Sequence, residues 1–238
     1  MVEIFFILGA GASRDSDLPT YRGPEGFYTD KDEDPSDVLN PWILKDDPMK
    51  VWNFITPLYQ KIKDVKDHPG PTYQILKKIG SNDRFEGSFI LTQNVDGLAL
   101  STDLPVIEIH GNMRKMWCME CGLVKDVNLG NLFCDCKQGN NSCFRPDIVL
   151  FNEPLSKYEC EKAYQLIKGR PKYIVIVGTT LQFPYLRHLI GKAKKYGGKV
   201  VHINPDDNYK PNIRKNEEWI KENSEDGLTK FLERFNDL

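Results

Sequence analysis

The sequence lacks an apolar run of the ~20 residues that a membrane span requires, and it lacks an excess of either charge. Its 32 Lys and Arg residues nearly balance 34 Asp and Glu residues, giving a formal net charge of −2 over 238 residues. That balance provides no electrostatic basis for direct binding of nucleic acid or an anionic membrane. The first nine residues form a short apolar run with an acidic residue and no basic flank. We therefore expect no secretory signal and an intracellular protein, cytoplasmic or nuclear.

The composition is that of a globular protein, since 40% of the residues are apolar, 11% are aromatic and 28% are charged. Those values exclude disorder, collagen and coiled coil as descriptions of the whole chain. The length is about one and a half times the roughly 150 residues of a common domain. We expect one elaborated domain, or one domain that carries an insert.

Short apolar segments recur along the chain and alternate with helical patterns. The segments with the character of buried strands are 3–8, 88–92, 105–109, 173–177 and 199–203. Helices are predicted from about 48 to 63, between the last two strands, and within 223–238. Strands that alternate with helices are typical of a parallel sheet covered on both faces, so the predicted fold class is α/β.

Two segments interrupt this alternation. Residues 23–50 are rich in Pro, Gly, Asp and Lys, and we expect them to form a long, mobile surface loop. Residues 113–144 contain five of the six cysteines. Thiols stay reduced inside cells, so this cluster needs another explanation than disulfides.

Four of these cysteines form two close pairs about a dozen residues apart, a spacing typical of a tetrahedral zinc site. The segment contains no His, so we expect a closed structural site with four thiolate ligands. Cys118 and Cys121 supply the first pair. Cys134 and Cys136 are the predicted second pair, and Cys143 is the alternative to either of them.

Polar residues directly follow several predicted strands, and the carboxyl ends of parallel strands are where such sheets bind ligands. The turn Gly9–Ser13 follows the first strand, and its glycines would let the backbone approach a pyrophosphate. Arg14 stands where a third glycine is usual, and no acidic residue closes a second strand about 20 residues later. These two absences disfavour a hydride-transferring dehydrogenase.

Later strand ends carry further polar groups. Thr92–Gly97 places amide and carboxylate side chains that suit ribose hydroxyls and a carboxamide. His110 ends the strand at 105–109, and an imidazole with a near-neutral pKa is the usual general base. Polar residues also follow the two last predicted strands, at 178–180 and 204–206. Together these strand ends suit one extended ligand.

In this order, the motifs resemble those of the sirtuin family of NAD-dependent protein deacylases. The similar blocks cover nearly the whole chain and are Gly9–Gly23, Thr92–Gly97, Ile109–Gly111, the cysteine module, Arg145–Phe151, Gly178–Thr180 and Ile203–Asn204. The resemblance implies a larger Rossmann-like domain made of residues 1–22, 71–112 and 145–238. It also implies a smaller domain made of a cofactor loop with a helical insertion, 23–70, and a four-cysteine zinc ribbon, 113–144.

The same resemblance implies an activity. NAD+ would be consumed, Zn2+ would be structural, and an acyl-lysine protein or peptide would be the partner. In the family, the acyl oxygen attacks C1′ of the nicotinamide ribose, and nicotinamide leaves. A His then deprotonates the ribose hydroxyls so that the 2′-oxygen attacks the acyl carbon. Water completes the transfer to give free lysine and O-acyl-ADP-ribose.

Matched residue by residue, the resemblance implies that His110 is this base and that Asn94 and Asp96 position ribose, water and carboxamide. The residues that it places at the cofactor are Gly9, Ala10, Gly11, Ser13, Tyr21, Arg22, Gln93, Asn94, Asp96, Gly178, Thr179, Thr180 and Asn204. The residues that it pairs with the substrate peptide, as an added strand, are Val149, Leu150 and Phe151.

The sequence departs from the family pattern without losing a catalytic group. Tyr21 stands where Phe is usual, and Thr180 stands where Ser is usual. Asp17 and Asn152 stand where Gly is usual. We therefore expect activity, with an effect of these departures on substrate preference.

Acyl specificity can be predicted one step further. Family members that accept succinyl- or malonyl-lysine carry a Tyr and an Arg, three residues apart, on the helix after the cofactor loop. The matching positions here are Ile55 and Leu58. An apolar pocket would leave an acyl carboxylate unpaired, at a cost of several kcal/mol. The sequence therefore predicts a preference for uncharged acyl groups, acetyl or longer.

Two other functions remain open on the sequence. NAD glycohydrolysis or mono-ADP-ribosyl transfer would use the same cofactor residues, and the altered positions 17, 21 and 152 keep this alternative open. A non-catalytic module with the zinc ribbon as its interaction surface ranks below both, because such a module has no need of Asn94, Asp96 and His110 together.

Overall fold

The structure is a computed structural model that describes residues 2–21, 26–29, 33–136, 142–209, 211, 213 and 216–235. Within these residues the chain forms two sheets, and helices cover both faces of the larger sheet. Among the same residues, no helix has the length and apolar character needed to cross a membrane.

The larger sheet has six parallel strands. Their bounds are Ile4–Leu8 (β1), Phe89–Thr92 (β2), Val106–Glu108 (β3), Tyr173–Val177 (β8), Lys199–Ile203 (β9) and Glu217–Ile220 (β10). Their order across the sheet is β3-β2-β1-β8-β9-β10. The first five confirm the strands predicted from apolar runs. β10 was missed, because Glu-Glu-Trp-Ile at the edge of the sheet has neither an apolar run nor clear alternation.

Seven α-helices lie in the described part of the chain. Their bounds are Pro35–Val38 (α1), Pro41–Asp46 (α2), Pro48–Val65 (α3), Pro71–Gly80 (α4), Lys157–Ile167 (α5), Pro184–Lys195 (α6) and Ser224–Leu232 (α7). α3, α6 and α7 confirm the three predicted helices.

Alternate residues of β1 divide the core into two layers. Phe5 and Ile7 pack with apolar residues of α5 and α6 on one face of the sheet. Ile4 and Phe6 pack with residues of α4 and α7 on the other face. All four of these β1 residues are completely buried, as expected for a parallel strand with helices on both sides.

The prediction of one long loop over 23–50 was wrong in part. Pro35, Pro41 and Pro48 each stand at the start of a helix, where the missing N–H group of proline costs nothing. The side chains of Asp34 and Asn40 accept hydrogen bonds from the first turns of α1 and α2. The expected mobility also concerns 22–25 and 30–32, which lie outside the described residues.

The smaller sheet is antiparallel and follows directly from the larger one. Its strands are Gly111–Cys118 (β4), Val124–Asp126 (β5), Phe133–Cys134 (β6) and Ser142–Ile148 (β7), in the order β5-β4-β7-β6. Gly111 has a φ of 83°, and a Cβ atom there would lie 2.1 Å from the carbonyl oxygen of Asp147. Only glycine therefore permits the chain to pass from β3 into β4 at this point.

The chain after β1 forms a 3₁₀ helix, Ala10–Ser16, instead of a regular α-helix. This helix ends at Asp17, which has a φ of 59°. Aspartate is among the few residues other than glycine that adopt this left-handed conformation readily. The Asp17 departure noted in the sequence is therefore compatible with the turn.

Candidate active site and metal centre

The carboxyl ends of five parallel strands bring the predicted polar residues to one edge of the larger sheet. β2 and β3 lie on one side of β1, and β8, β9 and β10 lie on the other, so the order of the strands reverses at β1. This reversal is the switch point at which open α/β sheets bind ligands. The residues that the strands place along this edge are Gly9, Gln93, His110, Gly178 and Asn204.

The turn after β1 packs tightly against the turn after β8. The Gly9 N–H donates to the Val177 carbonyl at 2.9 Å, and the Gly11 N–H donates to the Gly178 carbonyl at 3.0 Å. A Cβ atom on Gly11 would lie 2.7 Å from Cα of Gly178. These glycines are thus required for the contact between the two loops, whatever ligand the turn also accepts.

Four buried side chains form a hydrogen-bonded cluster beside this turn. Ser13 Oγ donates to Asp96 Oδ2 at 2.6 Å and lies 2.7 Å from Tyr73 Oη, so the Tyr73 hydroxyl donates to Ser13. Asn94 Nδ2 donates to the Gly9 carbonyl and to Ser13 Oγ, both at 3.0 Å. The cluster therefore fixes Asn94 and Asp96 relative to the turn. The sequence analysis missed Tyr73, which α4 contributes.

A small pocket lies against this cluster and is lined by Ala10, Leu58, Asn94 and Asp96, among others. Burial raises the pKa of Asp96 above its ordinary value, against the opposing effect of hydrogen bonds from Ser13 and the Leu98 N–H. Among the described residues, the buried Asn94 Oδ1 has no hydrogen-bond partner. A buried acceptor of this kind is available to a donor on a bound molecule.

Tyr21 lines the same pocket. Its ring stacks on Tyr28 with centroids 5.6 Å apart, and Tyr28 in turn contacts the rings of Phe54 and Phe151. Burial and the neighbouring Tyr28 raise the pKa of Tyr21 well above its ordinary value, so its hydroxyl remains protonated. Arg22, the next residue predicted at the cofactor, lies outside the described residues.

His110 follows β3, and both of its ring nitrogens have partners. Nδ1 lies 3.0 Å from the carbonyl oxygen of Gln93. A carbonyl can only accept, so Nδ1 carries the proton and Nε2 is the acceptor in the neutral ring. Burial lowers the pKa of His110, against the opposing effect of the Gln93 hydrogen bond. The imidazole is therefore neutral at pH 7 and is able to take up a proton.

The other predicted cofactor residues divide into buried and exposed positions. Gln93 Nε2 donates to Thr179 Oγ1 at 2.9 Å and so links the ends of β2 and β8. The side chain of Asn204 is buried and accepts from the Asp206 N–H at 3.0 Å. Thr180 follows β8 at the same edge of the sheet and is exposed.

The predicted peptide-binding residues already use their N–H groups within the protein. Val149 N–H donates to the His110 carbonyl at 2.9 Å, and Phe151 N–H donates to the Leu39 carbonyl at 2.8 Å. The Leu150 N–H donates to Glu153 Oε2, whose carboxylate also forms a bidentate pair with Arg145. An added peptide strand would therefore have to use other groups of this segment.

The four cysteines first chosen for zinc lie together at the far end of the smaller sheet. Their sulfur atoms all lie within 4.8 Å of one another, and the closest are 3.6 Å (Cys118–Cys136) and 3.8 Å (Cys121–Cys134) apart. Zn–S bonds of ~2.3 Å in a tetrahedron place sulfurs ~3.8 Å apart. The donor set therefore fits a structural zinc ion.

The pKa of Cys118 and the orientation of the Cys143 side chain both agree with this ligand set. Burial raises the pKa of Cys118, but hydrogen bonds from the Cys121 and Glu120 backbone, Ser142 and Cys136 together outweigh burial and lower it to about 6, whereas burial and the neighbouring thiols raise the pKa of Cys136 to about 12. A thiolate is thus available to start metal binding. Cys143 instead directs its sulfur to the Phe144 carbonyl at 3.3 Å. The alternative in which Cys143 replaces one ligand has no support in this arrangement.

Glu108 is a further, partly buried acid near the site that the sequence analysis missed. It ends β3, and Asn112 Nδ2 donates to both of its carboxylate oxygens. Burial raises its pKa to about 7, because the charged form is desolvated. In the unfolded chain the same group ionises near its ordinary value of 4.5. Folding therefore favours the protonated form.

This shift predicts a pH dependence of stability. The contribution of Glu108 is fully present below its unfolded pKa and is lost as pH rises through about 7. Between pH 5 and pH 8, the unfolding free energy of the wild-type protein should fall by on the order of 3 kcal/mol more than that of Glu108→Gln. Denaturant unfolding at both pH values measures this effect, with Glu86→Gln at an exposed site as the control. Equal pH dependence in wild-type and Glu108→Gln proteins would contradict the assignment.

Fold and site together define a nucleotide-binding α/β protein with a four-thiol metal module. Its parallel sheet carries a glycine turn, a buried amide–carboxylate cluster and a neutral imidazole at one edge. The Sir2 family model matches residues 9–184 of this chain. The chain therefore belongs to the Sir2 family, as the sequence motifs predicted.

Curated relatives agree with this assignment over most of their length. A protein named NAD-dependent protein deacylase 1, from Caldanaerobacter subterraneus subsp. tengcongensis, is 32% identical over 207 residues, covering 84% of this chain and 81% of the relative. A protein named NAD-dependent protein deacylase, from Aquifex aeolicus, is 30% identical over 236 residues, covering 98% of this chain and 95% of the relative.

Solved structures confirm the fold. A Sir2 homologue in complex with ADP-ribose superposes with a TM-score of 0.83 at 24% identity, covering 98% of this chain and 92% of the other. A Sir2 protein with a p53 peptide and NAD+ gives a TM-score of 0.78 at 22% identity, with 99% and 93% coverage. At these identities the likeness establishes the fold alone.

Proposed function

We propose that this protein is an NAD-dependent protein-lysine deacylase that acts on acetyl and other uncharged acyl groups. Its products would be nicotinamide, O-acyl-ADP-ribose and free lysine. The observation that carries the proposal is the neutral His110, with Nε2 as an acceptor, at the same sheet edge as the buried cluster of Asn94 and Asp96. The names of these relatives, NAD-dependent protein deacylases, support the same activity.

The residues along the edge suit NAD. The unpartnered Asn94 Oδ1 accepts a hydrogen bond from a bound group, and the glycine turn after β1 lies beside it, packed against the turn after β8. The residues that we assign to NAD binding are those of the sequence prediction: Gly9, Ala10, Gly11, Ser13, Tyr21, Arg22, Gln93, Asn94, Asp96, Gly178, Thr179, Thr180 and Asn204. When bound, NAD supplies a ribosyl carbon whose bond to nicotinamide can break.

The chain's own groups then hold and move protons. His110 is neutral near pH 7 and takes the proton of a ribose hydroxyl at Nε2. Asp96 and Asn94 are held by Ser13 and orient the sugar and its leaving group. Aromatic side chains around Tyr21 exclude water that would otherwise compete for the reactive carbon.

The acyl group would enter the apolar side of the pocket. Leu58 lines this pocket, and Ile55 is buried in the core on the same helix. Neither position offers a partner for a carboxylate, and an unpaired buried charge costs several kcal/mol. We therefore expect kcat/KM for acetyl-lysine to exceed that for succinyl-lysine by at least roughly 100-fold, on one peptide sequence.

Mass spectrometry of the products tests the proposal directly. The protein is incubated with NAD and peptides that differ only in the acyl group on lysine: acetyl, butyryl, myristoyl and succinyl. We expect O-acyl-ADP-ribose and free lysine in equal amounts from the uncharged substrates. Comparable rates on succinyl- and acetyl-lysine would contradict the predicted acyl preference.

The same assay distinguishes the rival activities. A glycohydrolase releases nicotinamide and ADP-ribose at the same rate without any acyl peptide. A mono-ADP-ribosyltransferase adds the mass of an ADP-ribosyl group to a protein acceptor and leaves the acyl group in place. Either result in place of O-acyl-ADP-ribose would refute deacylation.

A further inference from the structure

The second ring nitrogen of His110 has a partner that the proposed reaction does not require. The hydroxyl of Tyr185 lies 3.0 Å from Nε2. Because the Gln93 carbonyl already fixes the proton on Nδ1, Nε2 is the acceptor, and the Tyr185 hydroxyl must be the donor. Burial raises the pKa of Tyr185 above its ordinary value, which keeps the hydroxyl protonated. The imidazole is thus held from both sides.

Tyr185 is itself held in place by its surroundings. It is the second residue of α6, directly after Pro184, and it packs partly buried against the core. The ring of Phe183 stacks on Tyr185 with centroids 5.9 Å apart and meets the His110 ring edge-on at 5.4 Å. The ring of Phe183 and the ring and hydroxyl of Tyr185 therefore contact the imidazole.

The segment before α6 is also constrained. Leu181 has a φ of 55°, which is rare for a residue other than glycine, and such strain persists only where neighbouring contacts hold it. Arg187 Nη1 donates to the carbonyl oxygens of Leu181 at 3.0 Å and Gln182 at 3.2 Å. The constraint on this segment sets the place at which Tyr185 meets His110.

We propose that Tyr185 is a positioning residue for His110, which holds the neutral imidazole in one orientation until the substrate hydroxyl takes over Nε2. This inference rests on the proposed deacylase function, in which His110 is the base. On arrival of the substrate, the ribose hydroxyl replaces the Tyr185 hydroxyl as the donor to Nε2. The proton that His110 then takes up comes from the ribose oxygen, and Tyr185 keeps its own.

A hydrogen bond donated to Nε2 stabilises the neutral ring over the charged one. Its removal should make His110 easier to protonate. Charged and titratable groups lie on the elements around the imidazole, among them Arg187 on α6, Cys160 on α5, Asp147 on β7 and Glu108 on β3, and burial and the Gln93 hydrogen bond are the influences on the His110 pKa itself. The Tyr185→Phe change leaves all of these in place, so a shift in titration reports the lost hydroxyl.

The test compares wild-type protein, Tyr185→Phe and the control Tyr158→Phe, whose side chain is 73% exposed on α5. Titration of the His110 ring by ¹⁵N NMR, without ligands, should move to higher pH in Tyr185→Phe only. In the deacylation assay, kcat/KM at pH 6 should fall in that variant by up to about fivefold, the limit that one neutral hydrogen bond sets, and change less than about twofold at pH 8.5.

An unchanged His110 titration in Tyr185→Phe would overturn the inference, whatever the activity of the protein. A uniform loss of kcat/KM across the pH range would also overturn it, because that result indicates a structural effect. The NMR shift is measured without NAD. If wild-type protein made no O-acyl-ADP-ribose but the shift were present, the contact would stand and the proposed function would fail.

Discussion

Replacing His110 with Ala lowers the rate of O-acyl-ADP-ribose formation by roughly 10²–10⁴-fold, the range for loss of a general base. His110 is the only imidazole at the sheet edge among the described residues, and burial keeps it neutral near pH 7. Without it, no other imidazole in this part of the chain is placed to take the ribose proton. Mass spectrometry of the products with an acetyl-lysine peptide measures the effect.

The matched control is His188→Ala, since His188 is exposed on α6 and contacts the ring of Tyr164. This variant should retain wild-type rates. Both proteins should give the wild-type circular dichroism spectrum. Equal turnover of NAD by wild-type and His110→Ala proteins would remove the base from the proposed mechanism and would favour a non-catalytic role.

Replacing Cys136 with Ser removes the bound zinc and unfolds the smaller sheet. Structural zinc sites bind their ion with roughly 10–16 kcal/mol, and most of that free energy stabilises the fold around them. Three thiolates and a hydroxyl retain only part of it. Elemental analysis should give one zinc per wild-type chain and much less than one for the variant. The melting temperature should fall by more than about 10 °C.

Cys143→Ser is the matched control because it tests the alternative ligand. Cys143 lies on β7 opposite Phe133, and its sulfur contacts the Phe144 carbonyl. The variant should keep a full complement of zinc and lose only about 1–2 kcal/mol of stability, for a hydroxyl in a buried position. Loss of zinc in Cys143→Ser with retention in Cys136→Ser would reverse the ligand assignment.

Local sequence sufficed for much of the fold, because most central strands are buried on both faces. A run such as Ile4–Leu8 is apolar throughout, which is possible only where both faces of a strand are covered. Short helices were harder to predict. Those that begin at Pro35 and Pro41 are four and six residues long, and proline served as a loop signal in the sequence. The caps Asp34 and Asn40 were the signal that would have found them.

The site residues that the sequence analysis did not predict come from segments far along the chain from the strand ends. Tyr73 and Tyr185 lie on helices and reach the sheet edge only through tertiary packing. For Tyr73 the sequence did carry a signal: it shares one helical face with Leu76 and Ile79, and a buried tyrosine needs a partner for its hydroxyl. No signal of this kind distinguishes Tyr185 from a surface tyrosine.

Spacing alone also could not decide whether Cys143 replaces Cys134 or Cys136 as a ligand. Successive residues of a strand point to opposite faces. Ser142 pairs with Cys134 and Cys143 pairs with Phe133, so the register of β6 and β7 decides which thiol turns toward the cluster. That register is a tertiary property, and the sequence pattern allowed either thiol.

β4 begins at Gly111, next to His110, and ends at Cys118. A single eight-residue strand therefore connects the proton acceptor to the metal module. Zinc starvation, or an oxidant that captures these sulfurs, would loosen the strand from its distal end toward the imidazole. The fraction of active protein in a cell would then depend on the zinc supply and redox state of that cell, even at constant NAD supply.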